Sequence, residues 1–109
     1  MNIEQTVALS LPDYAKLILK TADQFEDKVS LDKFIAKLKE VAPDNWGFKE
    51  GIPRHLESDL ISLQRKGFIN YEDEKGVPIT EIRDGYFLTE EEKYVKLHPF
   101  GAALISYIK

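Results

Sequence analysis

Four stretches of this chain carry apolar residues at helical spacing, and shorter apolar clusters lie between the last two. In the first stretch, Tyr14, Leu17, Ile18, Ala22 and Phe25 share a face, which predicts a helix over about 11–26. Ser10 suits its N-cap, with Pro12 and Asp13 in the first turn. Leu31, Phe34, Ile35, Leu38 and Val41 predict a second helix over 30–41, capped by Ser30 and ended by Pro43. Val29 and Phe34 stand where a hydrophobic staple would place them. A third helix, over 52–66, has a narrow stripe of Leu56, Leu60 and Leu63 at i, i+4 and i+7. Pro53 fits its first turn, Lys66 its last, and Gly67 the left-handed residue beyond its end. Phe100, Ala103, Leu104, Tyr107 and Ile108 predict a final helix over 99–108, opened by Pro99.

Between these helices the pattern shortens. Residues 1–9 read as an extended lead-in, and residues 42–51 as a loop that Trp46 and Phe48 pin to the core. Phe68 to Tyr71 reads as a strand, with Val77 to Ile82 and Tyr86 to Leu88 as short strands after it. Lys75-Gly76 and Asp84-Gly85 are turn signals, and Pro78 requires a sheet edge. Tyr94 to His98 reads as the returning strand. The alternative is a capping box, Thr89 with Glu92, that starts the last helix early and leaves Pro99 to kink it. The strand is the preferred assignment.

A chain of 109 residues fits a single domain over 1–109. It has no cysteine, which excludes disulfides and thiolate metal sites, and two histidines on different elements leave no structural zinc site. No signal-peptide pattern is present, and no apolar run approaches the ~18 residues of a membrane span. The expectation is a cytoplasmic protein. No Ser-His-Asp order, HExxH or Gly-rich phosphate loop occurs, so neither an enzyme nor a cofactor is expected.

Net charge is −4, unevenly spread. Residues 30–71 hold seven Lys/Arg against six Asp/Glu and form the least acidic part of the chain. The helix over 52–66 presents Arg54, His55, Ser58, Ile61, Ser62 and Arg65 on the side opposite its leucines. Arginine pairs with guanine edges, and serine or histidine can bond bases or phosphate. An ordinary solvated face, with Glu57 and Asp59 balancing the arginines, is the competing interpretation. Lys33, Lys37, Lys39 and Lys49 are further cations that can hold a phosphate backbone.

Two motifs organise these elements. Asp59-Leu60-Ile61-Ser62-Leu63-Gln64-Arg65-Lys66-Gly67-Phe68-Ile69 is a helix end running into a strand, and Val95-Lys96-Leu97-His98-Pro99-Phe100-Gly101-Ala102-Ala103-Leu104 is a strand running into a helix. Together they resemble the winged helix-turn-helix superfamily, in particular HxlR- and PadR-like transcriptional regulators. The resemblance covers about Leu11 to Lys109. It implies an α+β winged helix: a three-helix bundle with a small antiparallel wing and a C-terminal helix. It also implies that the third helix enters the major groove of double-stranded DNA with its N-terminal residues nearest the bases. Arg54, His55 and Ser58 would then meet base edges, and Ser62, Arg65 and Lys49 the backbone. A homodimer through the first and last helices would follow, on a palindromic operator.

The chain departs from that pattern in two ways. Its connection between the second and third helices is long. Its wing, about 68–98, is long and acidic: residues 72–93 hold eight Asp/Glu against Lys75, Arg83 and Lys93, a net of −5. Phosphate contact calls for the opposite sign. Only Arg83 stands where a wing tip would touch DNA. The acidic wing supports an alternative, a winged-helix module that docks a basic protein.

Overall fold

Pro12 divides the N-terminal part of the chain into two helices. The computed structural model describes residues 2–43, 55–82 and 92–108. Helix α1 (Ile3–Ser10) starts at Asn2, whose side-chain oxygen accepts the Gln5 N–H at 2.7 Å. It replaces the extended lead-in expected for residues 1–9. Proline disfavours helical backbone at the residue before it, and Leu11 is extended. Ser10 is therefore no cap for the next helix. It ends α1, its hydroxyl donating to the Val7 carbonyl. Pro12 takes the cap position of α2 (Asp13–Asp23), which stops three residues short of the expected end.

The next elements are β1 (Val29–Ser30) and α3 (Leu31–Val41). The α3 start is as the sequence indicated: Ser30 caps it by accepting the Lys33 N–H, and Val29 and Phe34 are both buried. The two-residue strand before it was not expected. Helix α4 is described over Leu56–Arg65; Trp46 and Phe48, expected to pin the loop, and Pro53, expected in the first turn, lie outside the described residues. Then come β2 (Ile69–Asp73), β3 (Lys93–Leu97) and α5 (Pro99–Leu104), followed by a 3₁₀ turn, Ile105–Tyr107. The last helix is thus shorter than expected. The strand assignment holds at β3, and His98 caps α5 by accepting the Phe100 N–H.

The fold is α+β, with five helices and a small antiparallel sheet among the described residues. Strand order is β1-β3-β2, so the returning strand lies in the middle. Val95 pairs with Val29 on one side and Tyr71 on the other. The strand expected over Val77 to Ile82 is reduced to a short arm on β2: a bridge joins Pro78 to Glu72, and Ile79 N–H donates to the Tyr71 carbonyl. Pro78 has no N–H to give to a further strand, which suits its place at this edge. Tyr86 to Leu88 and the Asp84-Gly85 turn lie outside the described residues.

The core joins all layers: Ile18 and Leu19 of α2, Phe34 and Leu38 of α3, Leu56 and Leu60 of α4, Ile69 and Tyr71 of β2, Val95 and Leu104. Helix α1 packs on α5 and the 3₁₀ turn, burying Ala8, and Asn2 Nδ2 donates to Tyr107 Oη at 2.9 Å. On the other side α5 presses on the start of β2. His98 N–H donates to the Phe68 carbonyl, and a Cβ on Gly101 would lie 2.1 Å from that same oxygen. Backbone must move to admit any side chain there. Gly101→Ala should lose about 2–3 kcal/mol in urea unfolding; an unchanged midpoint would show that α5 can shift away freely.

Candidate functional site

The end of α4 is fixed by a Schellman motif. Gly67, at φ +82°, donates its N–H to the Gln64 carbonyl, and Phe68 N–H donates to the Leu63 carbonyl. Leu63 and Phe68 are both buried, the apolar contact typical of this motif. A three-residue turn, Lys66 to Phe68, thus leads directly from helix into strand. This sets which side of α4 meets the sheet and which meets solvent.

On the solvent side, His55, Ser58, Ser62 and Arg65 are exposed, and all four were selected from the sequence. Arg54 and Lys49 lie outside the described residues. Two other assignments on this helix are corrected. Ile61, expected on the outer face, is 4% exposed, and Glu57, expected to balance the arginines in solvent, is 3% exposed. The leucine stripe underestimates the covered sector, because the arm after β2 lies beside Ile61 and Tyr71 of β2 meets Glu57.

Glu57 faces Tyr71, the largest fully buried side chain among the described residues. Tyr71 Oη donates to Glu57 Oε2 at 2.5 Å, and Glu57 Oε1 has no hydrogen-bond partner among the described residues. Burying a carboxyl group with an open acceptor is costly. Its position in the first turn of α4, at the positive end of the helix dipole, offsets part of that cost.

The opposite end of α4 holds the arm. Gln64 Oε1 accepts the Tyr71 N–H at 2.6 Å, while its Nε2 donates to the Ile79 carbonyl at 2.8 Å. Arg65 Nη2 donates to the Thr80 carbonyl at 2.9 Å. Ser58, Ile61 and Arg65 then line a shallow groove of about 220 Å³ with Thr80, Glu81 and Ile82. Arg65 is thereby oriented, and its exposed guanidinium keeps further N–H donors for a partner.

At the N-terminus of α4, His55 Nδ1 and Asp59 Oδ2 are 2.8 Å apart. The pair is exposed and adds little stability. The Tyr14 ring meets the His55 ring edge-on, with centroids 4.6 Å apart. Partial burial, and then the negative charge of Asp59, hold the Tyr14 hydroxyl well above its ordinary titration range.

The other pole of the hairpin is acidic. Asp73, Glu74, Lys75 and Glu92 surround a hollow of about 130 Å³. Asp73 Oδ1 accepts the Lys75 and Val77 N–H groups, which builds the turn, and Tyr94 Oη donates to Glu92. Lys93 is buried and Lys96 pairs with Asp27 at 3.4 Å, so Lys75 is the exposed cation at this acidic end among the described residues. Arg83, Glu90 and Glu91 lie outside them. On α3, Lys33 is exposed and Lys37 pairs with Glu40 at 3.3 Å. Among the described residues no group of three His, Cys, Asp or Glu side chains is placed to hold a metal, and no helix is long and apolar enough to cross a membrane.

Comparison with protein-family models, with curated proteins and with solved structures gave no match to this chain.

Sequence reasoning found the exposed face of α4 but missed Glu57, Gln64 and Tyr71, the residues that hold it. Gln64, one helical turn from Leu60, offered a signal as a polar residue beside the stripe; Glu57 read as part of the solvated face.

Two measurements test this account. Tyr71→Phe should cost about 2 kcal/mol in urea unfolding, because it leaves the buried Glu57 carboxyl without its donor. The double variant Glu57→Met/Tyr71→Phe should recover most of that loss; strict additivity would mean that the pair is not coupled. The second concerns pH. A hydroxyl whose folded pKa is raised contributes stability that is complete below its unfolded value of 10.0 and is lost as pH rises above it. Wild type should therefore lose stability above about pH 10 more steeply than Tyr14→Phe, as read from thermal midpoints. Parallel pH curves would contradict it.

Proposed function

We propose that this chain is a double-stranded-DNA-binding transcriptional regulator of winged helix-turn-helix type, acting by occupying an operator. The observation that carries the reading is the outer face of α4, where Ser58, Ser62 and Arg65 are exposed along one side of a helix that immediately precedes a hairpin. The element order supports it: α2, β1, α3, α4, then β2 and β3, with β1 on the free edge of the returning strand. In this reading α3 crosses the DNA backbone and α4 enters the major groove. His55 and Ser58 lie at the N-terminal end of α4, nearest the bases, with Arg54 beside them in sequence. Ser62, Arg65 and Lys49 serve the backbone.

A homodimer on a palindromic site belongs to the proposal. The C-terminal helix expected to form part of its interface is partly covered by α1, so contacts between copies would involve α1 as well. Ile3 and Leu9 on α1 and Phe100 on α5 remain exposed.

The acidic hairpin favours a second reading, a protein-interaction module. Glu72, Asp73, Glu74 and Glu92 gather on one hairpin of the described chain, and their charge repels phosphate. A partner docking there would be basic.

Fluorescence anisotropy with random-sequence duplex DNA, titrated at several salt concentrations, separates the two. The regulator reading expects binding that weakens steeply with salt, and a loss of about tenfold or more in Ser58→Glu/Ser62→Glu, whose new carboxylates face the groove. At saturation on a two-fold-symmetric duplex, two chains should bind. Absence of binding at low salt, or indifference to the double substitution, would shift the assignment to the protein-interaction module.

A further inference from the structure

The bond missing between Tyr71 and Ile79 is the most informative detail of the hairpin. Two residues directly opposed as a hydrogen-bonded antiparallel pair exchange both N–H···O bonds. Here one of the two is direct, from Ile79 N–H to the Tyr71 carbonyl. The other is relayed: Tyr71 N–H donates to Gln64 Oε1, and Gln64 Nε2 donates to the Ile79 carbonyl, at 2.6 and 2.8 Å. A carboxamide carries an acceptor and a donor on one carbon, as a peptide group does, so it can complete the ladder while holding the strands apart. Beyond this point the chain leaves β2 and runs beside α4, where Arg65 takes the next carbonyl, that of Thr80.

We infer that Gln64 acts as a surrogate peptide group splicing α4 into the hairpin ladder, and that Gln64 and Arg65 together hold residues 79–82 as a second wall of the DNA-contacting face. The inference rests on the reading of α4 as that face. Gln64 is a positioning residue: it is half-buried, its amide is used on both sides by backbone, and its effect on a partner passes through the arm. Without the splice, the Ile79 carbonyl loses its tie to α4 and only that of Thr80, through Arg65, remains. With it, the groove between Ser58, Arg65, Thr80 and Ile82 has a fixed width. A preformed wall spares a bound duplex the ordering of the arm.

The test combines residue-resolved amide hydrogen exchange with duplex anisotropy, on full-length wild type, Gln64→Leu and Gln64→Glu. Leucine removes both polar atoms at similar volume. Glutamate keeps the acceptor for Tyr71 N–H but turns an oxygen toward the Ile79 carbonyl. Both should speed exchange at Ile79 N–H by about tenfold while Leu38 N–H in α3 stays unchanged, and both should weaken duplex binding. Unchanged exchange at Ile79 would overturn the splice whatever the DNA result. Faster exchange with duplex binding equal to wild type would overturn the role of the arm as a wall. Faster exchange in a protein whose wild type binds no duplex would overturn the DNA-facing role and sink the regulator reading, leaving the splice as a property of the fold. If Gln64→Leu fails to fold, Gln64→Glu and Arg65→Ala, which frees only the Thr80 carbonyl, provide the same comparison.

Discussion

Tyr71 is gripped by a single helix at two points. Glu57, early in α4, takes its hydroxyl; Gln64, two turns later on the same side, takes its backbone N–H. Its carbonyl accepts from Ile79, and its neighbour across the sheet is Val95. One residue therefore joins helix, sheet and arm. The short Schellman turn between α4 and β2 makes this grip possible, because it leaves almost no freedom in how the helix lies on the strand that follows it. Leucine packing alone would tolerate rotation of α4 about its axis. The directional bonds to Tyr71 do not, and they determine which side chains the helix offers to solvent.

That constraint explains an apparent extravagance. A buried carboxyl group with one open oxygen reduces stability compared with an apolar residue of the same shape. It also fixes orientation, which an apolar residue does less sharply. The polar ties of α4 cluster at Tyr71 and the arm, whereas α3, held by Leu31, Phe34, Ile35 and Leu38, keeps an apolar buried face throughout. The difference follows what each helix must align: α4 has an irregular arm to place, and α3 has a regular sheet and α2 beneath it.

Legibility in the sequence followed the range of the forces involved. The start of α3 was readable because Ser30 and the stripe after it act within one turn. The end of α4 was readable because Gly67 meets a purely local backbone demand. The exposure of Ser58, Ser62 and Arg65 followed from helical periodicity. Helix α1 was not readable: it is two turns long, buries only Ala8, and owes its place to contacts with residues near the other end of the chain. The strand β1 is two residues long and exists because β3 comes to meet it. Ile61 and Glu57 were misjudged because three leucines suggested a narrow buried stripe, while the arm lies beside Ile61 and Tyr71 of β2 meets Glu57. Gln64 offered a polar residue near a helix end, and nothing local told that its amide would stand in for a peptide group.

The contact between Asn2 and Tyr107 has a topological meaning. The first helix and the last turn lie side by side, so the described path comes back to its origin and behaves as a nearly closed ring. In a ring the point of opening is arbitrary as far as packing is concerned. A short join across that contact, with a new opening at the exposed Glu74–Gly76 turn, would leave every neighbour of α4 in place.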